Sequence, residues 1–127
     1  MKKQAIFTET APAAVGPYSQ AVKAGGWIYL SGQIPVDPKT NQVVRGTIQE
    51  QTQLVLRNSQ RVLETAGASL QNVVKVSLFM ANMKDFSEIN TVYSSFFPSE
   101  PLARSAVQVA RLPKDVGIEV DMVAYTG

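Results

Sequence analysis

The residues best suited to chemistry are two charged side chains in the last quarter of the chain. Arg104 begins an alternating polar–apolar segment, and Glu119 lies within a second such segment. A guanidinium can bind a carboxylate through two parallel charge-assisted hydrogen bonds, and a carboxylate can orient a water molecule and accept its proton. We therefore predict that any chemistry of this protein centres on Arg104 and Glu119.

The composition excludes several other kinds of active site. The 127 residues include neither cysteine nor histidine. A disulfide, a thiolate nucleophile and a Cys/His zinc site are therefore impossible, and Ser-His-Asp and Cys-His arrangements are excluded as well. The sequence predicts chemistry that uses no thiol, no imidazole and no metal ion.

The charge and hydropathy patterns bear on partners and location. The net charge of +2 comes from 12 Lys plus Arg against 10 Asp plus Glu, and no basic run is longer than Lys2–Lys3. A nucleic-acid groove normally needs a clustered basic stripe. The N-terminus lacks the apolar region of a secretory signal, and the longest apolar stretch, 73–81, is too short to span a bilayer. We predict a cytoplasmic protein that binds neither nucleic acid nor a membrane.

Two helices must support the segments that carry the charged residues. Thr47–Glu50 forms a capping-box pattern before a run of apolar residues at helical spacing, and Gly67 is placed as a left-handed C-terminal cap. Asp85–Glu88 repeats the capping pattern before a second helix, which Pro98 ends. One face of this second helix is aromatic, and we interpret the stripe as core packing rather than a ligand site. Its members are Phe86, Ile89, Tyr93 and Phe96 or Phe97.

Six strand patterns complete the predicted fold, and the segment 34–41 between them is expected to be a surface loop. The order β-β-β-α-β-α-β-β has two crossover helices, and right-handed crossovers place both on one face of a mixed sheet. We predict an α+β, two-layer, single domain over 1–127, whose uncovered sheet face favours homo-oligomerisation. The strands are expected at 5–8, 19–24, 27–31, 73–80, 104–110 and 117–125.

Alternation along the last two strands predicts where the charged residues point, because successive side chains lie on opposite faces of a strand. A hairpin across 112–115 would pair the two strands. We then expect Arg104 and Glu119 to share the face opposite the helices. An ordinary cross-strand ion pair, worth ~1 kcal/mol or less if exposed, is the alternative to an active site. Beneath the helices we expect Ser105, Val107 and Val109.

Two strand–loop junctions offer further candidate contacts with a ligand. Gly16–Gln20 and Ser31–Gln33 both lie where hydroxyls and backbone N–H groups can face a bound molecule. Each junction also has a purely structural interpretation. Gly32 can permit an unusual backbone angle, and Tyr18 can be a packing residue without a role in ligand binding.

Four segments, read together, identify a family resemblance: Ala11–Gln20, Ser31–Pro35, Ala66–Ala68, and Ala103–Asp115 followed by Ile118-Glu119. In these segments the chain resembles the RidA/YjgF family of reactive-intermediate deaminases, from about residue 10 to residue 124. The resemblance implies a chorismate-mutase-like subunit, a homotrimer with ligand clefts between subunits, and no cofactor. It also implies hydrolysis of 2-imino acids, such as 2-iminobutanoate and 2-iminopropanoate, to 2-oxo acids and ammonia.

The resemblance further implies roles for individual residues. Arg104 matches the arginine that binds the substrate carboxylate, and Glu119 matches the glutamate that positions the attacking water. Family members often have cysteine where this chain has Ala106, so that position can act only through its backbone or its small size. The connection from Phe97 to Arg104 is short beside some relatives. Residues that match the lining or the mouth of the cleft are Tyr18, Ser31, Gly32 and Asn90.

Three functions are compatible with these features. A regulatory or chaperone-like protein could use the same cleft to bind a small carboxylate without turnover. Retention of both Arg104 and Glu119 favours the deaminase, because a pure carboxylate binder gains little from a nearby acid. A ribonuclease ranks last, since the chain has no histidine and no basic patch.

Overall fold

The computed structural model describes residues 2–127, which form eight strands and two α-helices. Helix α1 spans Ile48–Thr65 and helix α2 spans Phe86–Phe96. The strands are β1 (Lys3–Ile6), β2 (Ala21–Ala24), β3 (Trp27–Leu30), β4 (Val36–Asp37), β5 (Gln42–Val43), β6 (Val73–Met80), β7 (Ala103–Gln108) and β8 (Ile118–Tyr125). Within the described residues, neither helix is long and apolar enough to cross a membrane.

Six of the strands form one mixed sheet in the order β1-β2-β3-β8-β6-β7. Only the β6–β7 pair is parallel among the pairs of this sheet. Both helices pack on the same face, so the predicted two-layer α+β architecture is confirmed. The shared core is aliphatic, with fully buried side chains from helix α1 and from the central strands; examples are Val55, Leu56, Leu63, Val76, Leu78 and Val120.

Helix α1 begins at the predicted capping box. The backbone N–H of Glu50 donates to Oγ1 of Thr47 at 3.1 Å, and the Glu50 carboxylate accepts from the Thr47 N–H at 3.0 Å. Two backbone donors at the open end of the helix are thereby satisfied. After the helix, Gly67 has a φ of 86°, a conformation that glycine adopts without a steric penalty.

Helix α2 does not begin with the predicted capping box. Asp85 has helical dihedral angles and makes no capping hydrogen bond. Instead, Asn82 caps the preceding 3₁₀ turn, Met83–Asp85, and its Oδ1 accepts a hydrogen bond from the backbone N–H of Lys84 at 2.9 Å. The prediction was wrong because Asn82, an equally good N-cap residue, lies one turn earlier. That turn then continues directly into helix α2.

The predicted hairpin between the last two strands is also wrong. Strand β7 pairs in parallel with β6, and β8 pairs with β6 from the other side, so β7 and β8 do not touch across a hairpin. A parallel pair needs a crossover connection, and helix α2 supplies it. The segment between β7 and β8 forms a 3₁₀ turn at Pro113–Asp115, with Lys114 and Asp115 at positive φ.

The segment predicted as a loop at 34–41 contributes to a small hairpin. Strands β4 and β5 pair there as a separate two-stranded sheet. Asn58, buried on helix α1, donates a hydrogen bond from Nδ2 to the carbonyl of Val36 at 2.8 Å. A side chain from the helix thus holds a strand too short to be evident from its sequence alone.

The sheet face opposite the helices carries large side chains that neither helix covers. Strand register places Tyr29 opposite Val123, and Val107 and Phe79 in one row with Glu119. Tyr29 is 55% exposed and Val107 is 44% exposed. The uncovered face predicted from the order of elements is therefore present and substantially apolar.

Candidate active site

The predicted site residues divide into two groups on opposite faces of the sheet. Arg104 is paired with Val76, which is itself paired with the buried Met122, so Arg104 points to the helix side. Glu119 is paired with Phe79, on the uncovered side. Laterally paired residues share a face, and the expectation that Arg104 and Glu119 share one is therefore wrong.

The alternation along β7 is the reverse of the prediction. Ser105 and Val107, expected beneath the helices, lie on the uncovered face, and Ser105 accepts a hydrogen bond from Nζ of Lys75 at 2.9 Å. A one-residue change of register moves every side chain of a strand to the other face. The register of β7 is determined by its parallel pairing with β6, because β7 is not paired with β8.

The Arg104 group is built on helix α2. The guanidinium donates from Nη1 to Oδ1 of Asn90 at 2.7 Å. Its Cζ lies 4.7 Å from the ring centroid of Tyr93 and 5.4 Å from that of Phe86. The aromatic stripe is thus more than core packing, because two of its rings contact the arginine while Ile89 is fully buried in the core. Phe86 and Tyr93 were not predicted as site residues, and their helical spacing with Asn90 was the available signal.

Beside this group lies a cleft of about 430 Å³, lined by Arg104, Asn90 and Tyr93 and by part of the segment before β7. Phe97, Pro101 and Leu102 form its more apolar side, so the short connection noted in the sequence becomes a wall of the cleft. Burial raises the pKa of the Tyr93 hydroxyl, with partial opposition from the charge of Arg104. The tyrosine is therefore neutral at ordinary pH.

The charge of Arg104 has no counter-ion in the described part of the chain. Among residues 2–127, no carboxylate oxygen lies within 4.0 Å of its guanidinium nitrogens. A partly buried guanidinium is costly to leave unpaired, and its fork of donors matches a carboxylate. This cleft is suited to a small anion with a carboxylate group.

Ala106 lies two residues beyond Arg104 on the same face of β7, opposite Leu78. β7 is an edge strand, and the N–H of Val109 donates to the carbonyl of Met80 at 2.9 Å. Since backbone N–H direction alternates along a paired strand, the N–H of Ala106 points to the free edge. The position can therefore offer a backbone donor next to the Arg104 cleft.

The second group surrounds Glu119 and depends on an irregular end of β3. Gln33 and Val120 exchange two backbone hydrogen bonds, of 2.8 and 3.0 Å. Between this bridge and the regular pairing of Tyr29 with Val123, the β3 side has one residue more than the β8 side. Such a bulge re-aims the local side chains, and here it brings Gly32 against the carboxylate of Glu119.

Gly32 provides space rather than an unusual backbone angle. A Cβ added at this position would overlap Oε2 of Glu119 and lie 2.9 Å from its Cδ. Positive φ occurs at Gly16, Gly25 and Gly67 but not at Gly32, so the interpretation from backbone conformation is wrong for this residue. Any side chain here would push the Glu119 carboxylate out of its position.

Ser31 adjoins Gly32 in the chain and is hydrogen-bonded to the segment that contains Tyr18. The Ser31 hydroxyl donates to the carbonyl of Ser19 at 2.6 Å, and the Ser31 N–H donates to the carbonyl of Gln20 at 3.0 Å. These bonds hold the 16–20 segment beside Gly32. Tyr18 is 52% exposed, so packing within the described chain does not account for it.

The environment of Glu119 favours its protonated form more than water does. Partial burial, and then the negative charge of Asp121 two residues along, raise the pKa of the Glu119 carboxyl above its ordinary value of 4.5. Arg104, on the other face, does not oppose this rise. Within residues 2–127 the Glu119 carboxylate makes no hydrogen bond or ion pair, and its oxygens are free to contact a ligand or water.

Comparison with known proteins places this arrangement in a family. The family model described as Endoribonuclease L-PSP matches residues 8–126. A RutC family protein of Pyrococcus abyssi is 52% identical over 125 residues, which are 98% of each chain. A protein of Homo sapiens named 2-iminobutanoate/2-iminopropanoate deaminase is 43% identical over 125 residues, 98% of this chain and 91% of that protein.

A solved structure supports the same relationship. Escherichia coli TdcF, crystallised with bound serine, has a TM-score of 0.93 and 40% sequence identity, covering 98% of this chain and 99% of that one. Similarity of this extent in both sequence and fold includes every segment that carries the two groups of site residues. The chain belongs to the Endoribonuclease L-PSP family, the RidA/YjgF proteins.

Proposed function

We propose that this protein hydrolyses 2-imino acids, such as 2-iminobutanoate and 2-iminopropanoate, to 2-oxo acids and ammonia. The observation that carries the proposal is the Arg104 guanidinium, which faces a cleft without a counter-ion from the described chain. Relatives named as deaminases of these substrates support it. So does the serine bound to TdcF, because serine presents the same α-carboxylate beside a nitrogen-bearing carbon.

Arg104 binds the substrate carboxylate in this proposal. Nη1 is engaged by Asn90, and the other guanidinium N–H groups make no hydrogen bond within residues 2–127. Two parallel hydrogen bonds to a carboxylate determine both the place and the orientation of the imino acid. The reactive carbon is then held at one distance from the arginine, which is the main requirement for a reaction that is already fast in water.

Glu119 orients the attacking water and accepts its proton. The protonated C=N group is a strong electrophile, so water adds to its carbon without a covalent enzyme intermediate. The water loses one proton to Glu119, and the same proton returns to the amino group as the C–N bond breaks. The hydroxyl of the intermediate gives its remaining proton to Glu119, which releases it to solvent, so the C–O bond becomes the carbonyl of the 2-oxo acid and ammonia leaves. No cofactor takes part.

The two groups cannot meet in one subunit, because they lie on opposite faces of its sheet. We propose that the sites form between the subunits of a homotrimer, with Arg104 from one subunit and Glu119 from its neighbour. The apolar uncovered face and the free edge at β7 support this assembly. Tyr18, Ser31 and Gly32 then line the cleft from the Glu119 side.

Subunit mixing tests the shared site. Arg104→Ala and Glu119→Gln subunits, co-expressed with different tags and purified as mixed trimers, should regain up to about a third of wild-type activity, since one of the three directional interfaces in every mixed trimer pairs an intact Arg104 with an intact Glu119. Light scattering should give a mass near three times 13.8 kDa. No regained activity in verified mixed trimers would contradict a site built from two subunits.

A trapping assay tests the reaction itself. An amino-acid oxidase or dehydratase generates 2-iminopropanoate in the presence of semicarbazide, and the protein should divert the imine to pyruvate before it is trapped. Wild-type protein that diverts no more imine than buffer would reject the deaminase. Binding of a small carboxylate without turnover would favour the regulatory function instead.

Gly32→Ala should lower kcat/KM by about tenfold to hundredfold, because the new methyl group displaces the Glu119 carboxylate. The same assay measures the loss. Gly46→Ala is the matched control, since a Cβ there would also meet a glutamate, with Oε1 of Glu50 at 2.9 Å, and Glu50 is not one of the proposed site residues. Equal activity of Gly32→Ala and wild type would show that the contact between Gly32 and Glu119 is irrelevant to catalysis.

The family name Endoribonuclease L-PSP does not lead us to propose RNA cleavage. The chain has no histidine, and its basic residues are scattered. The proposed site has Arg104 and Glu119 as its charged residues. The small cleft at this one arginine does not provide the extended basic groove that binds a nucleic-acid backbone.

A further inference from the structure

We propose that Tyr93 and Phe86 are positioning residues for Arg104: their rings hold the guanidinium so that its free donors face the cleft. The inference rests on the proposed function of Arg104 in carboxylate binding, and it concerns residues to which the resemblance assigned no role. It explains why an aromatic stripe on helix α2 extends beyond the buried core to the wall of the cleft.

Three residues of helix α2 act on one side chain. Phe86, Asn90 and Tyr93 are spaced by four and three residues, so they lie along one face of the helix. The Arg104 Cζ is 4.7 Å from the Tyr93 ring and 5.4 Å from the Phe86 ring, and Asn90 accepts its Nη1 hydrogen bond. Both distances are within the range of a cation–π contact.

The Tyr93 ring is itself held in place. Its side chain is buried, with 8% exposure, and its ring centroid lies 4.8 Å from that of Phe97. A rigid aromatic surface is a better support than a flexible polar side chain, because it loses little conformational freedom when the arginine stacks on it. Asn90 complements the rings by taking one donor in a defined direction.

The physical need for such support comes from the position of Arg104. It extends from an edge strand, has several rotatable bonds and has no carboxylate partner in the described chain. An unsupported guanidinium would sample many rotamers and lose that freedom each time a substrate bound. Stacked rings remove much of this cost in advance, and a guanidinium is weakly hydrated enough to tolerate them.

The test measures carboxylate binding as well as turnover. Calorimetry with 2-oxobutanoate, the product of 2-iminobutanoate hydrolysis, gives Kd, and the trapping assay gives kcat and KM. Tyr93→Leu should raise Kd and KM about tenfold, or about 1.4 kcal/mol, with kcat within about twofold of wild type. Phe86→Leu should raise both by a smaller factor, because its ring is farther from Cζ. Tyr93→Phe keeps the ring and should restore binding.

Helix α2 offers a matched control. Phe96 stacks on Arg57 at 5.6 Å, on the outer side of the helix pair and away from Arg104. Phe96→Leu removes an aromatic ring of the same helix from another arginine. It should leave Kd and KM unchanged, whatever it does to the melting temperature.

A double-mutant cycle separates positioning from general packing. In an Arg104→Lys background, which lacks the planar group that stacks, Tyr93→Leu should change the Kd for 2-oxobutanoate by less than about twofold. An equal loss in both backgrounds, or a lower melting temperature with unchanged Kd and KM, would overturn the inference. Wild-type protein that binds no 2-oxobutanoate would overturn it too. Binding without turnover would reject the deaminase alone, and the cycle would still decide the role of Tyr93.

Discussion

Arg104→Ala should lower kcat/KM for 2-iminobutanoate by at least about hundredfold, or about 3 kcal/mol of transition-state stabilisation. The expected size follows from two charge-assisted hydrogen bonds to the substrate carboxylate, each worth roughly 1.5–3 kcal/mol. The loss should appear in KM and in kcat, because the arginine both binds the substrate and orients its reactive carbon. Steady-state kinetics in the trapping assay measures both constants.

The variant should still fold and assemble. Arg104 contributes one hydrogen bond to Asn90 and two ring contacts, and it lies at an edge strand outside the aliphatic core. Arg111→Ala is a suitable control, since Arg111 is exposed and pairs only with Asp115 in the described chain. Arg104→Ala with more than about a tenth of wild-type kcat/KM would contradict the assigned carboxylate site.

Glu119→Gln should lower kcat by about 10²- to 10⁴-fold, the usual contribution of a general base. The amide matches the carboxylate in shape but cannot accept the proton of the attacking water. KM should change little, because Arg104 provides most of the substrate binding. Single-turnover kinetics with pre-formed imine isolates the chemical step, and full activity of Glu119→Gln would remove the residue from the mechanism.

The pH dependence of kcat should identify the same carboxyl group. Burial, followed by the charge of Asp121, raises the pKa of Glu119, so the reactive carboxylate form is lost as pH falls through a value above 4.5. Asp121→Asn removes the second cause and should move this acid limb to lower pH while the plateau rate is kept. Glu119→Gln should show no such limb. An acid limb unmoved by Asp121→Asn would mean that another group titrates.

The raised pKa of Glu119 also determines how the stability of the folded protein changes with pH. The folded protein binds the proton more tightly than the unfolded chain, so stability falls as pH rises from the ordinary carboxyl value of 4.5 through the raised folded value. Above that pH range Glu119 is ionised in the folded protein, and the loss of folding stability that it causes is complete. The ionised form of Glu119 is the one that the reaction requires, and it is also the form that lowers stability. This combination is typical of a functional site rather than of a structural ion pair.

Local patterns of sequence predicted the local structure well wherever nearby residues supply the interactions. The capping box at Thr47 and the left-handed Gly67 are satisfied within one turn of helix, so they could be recognised without knowledge of the rest of the chain. At Asp85 the same kind of pattern failed, because a competing cap at Asn82 was supported by Gln108, whose Oε1 accepts the Met83 N–H from a distant strand at 2.7 Å.

The choice of strand partner is where the expectation that Arg104 and Glu119 share one face of the sheet failed. Arg104 and Glu119 each lie in a clear alternating pattern, but alternation shows only which residues of one strand share a face. Relating the faces of two strands requires their register, and β7 and β8 are both paired with β6 instead of each other. The contact of Gly32 with Glu119 was equally hidden, since it depends on a bulge 87 residues earlier in the chain.

By itself the sequence determined the two-layer α+β fold and the absence of thiol and imidazole chemistry, and it led to the prediction that function depends on Arg104 and Glu119. Residue types and short-range periodicity are sufficient for the first two conclusions, whereas the prediction for Arg104 and Glu119 also depended on the resemblance to the RidA/YjgF family. The tertiary structure alone decided that the two residues lie on opposite faces, that helix α2 supports the arginine, and that Gly32 makes room for the glutamate. These facts arise from pairing between distant segments, which sequence spacing does not encode, and they are the reason that the proposed mechanism requires association between subunits.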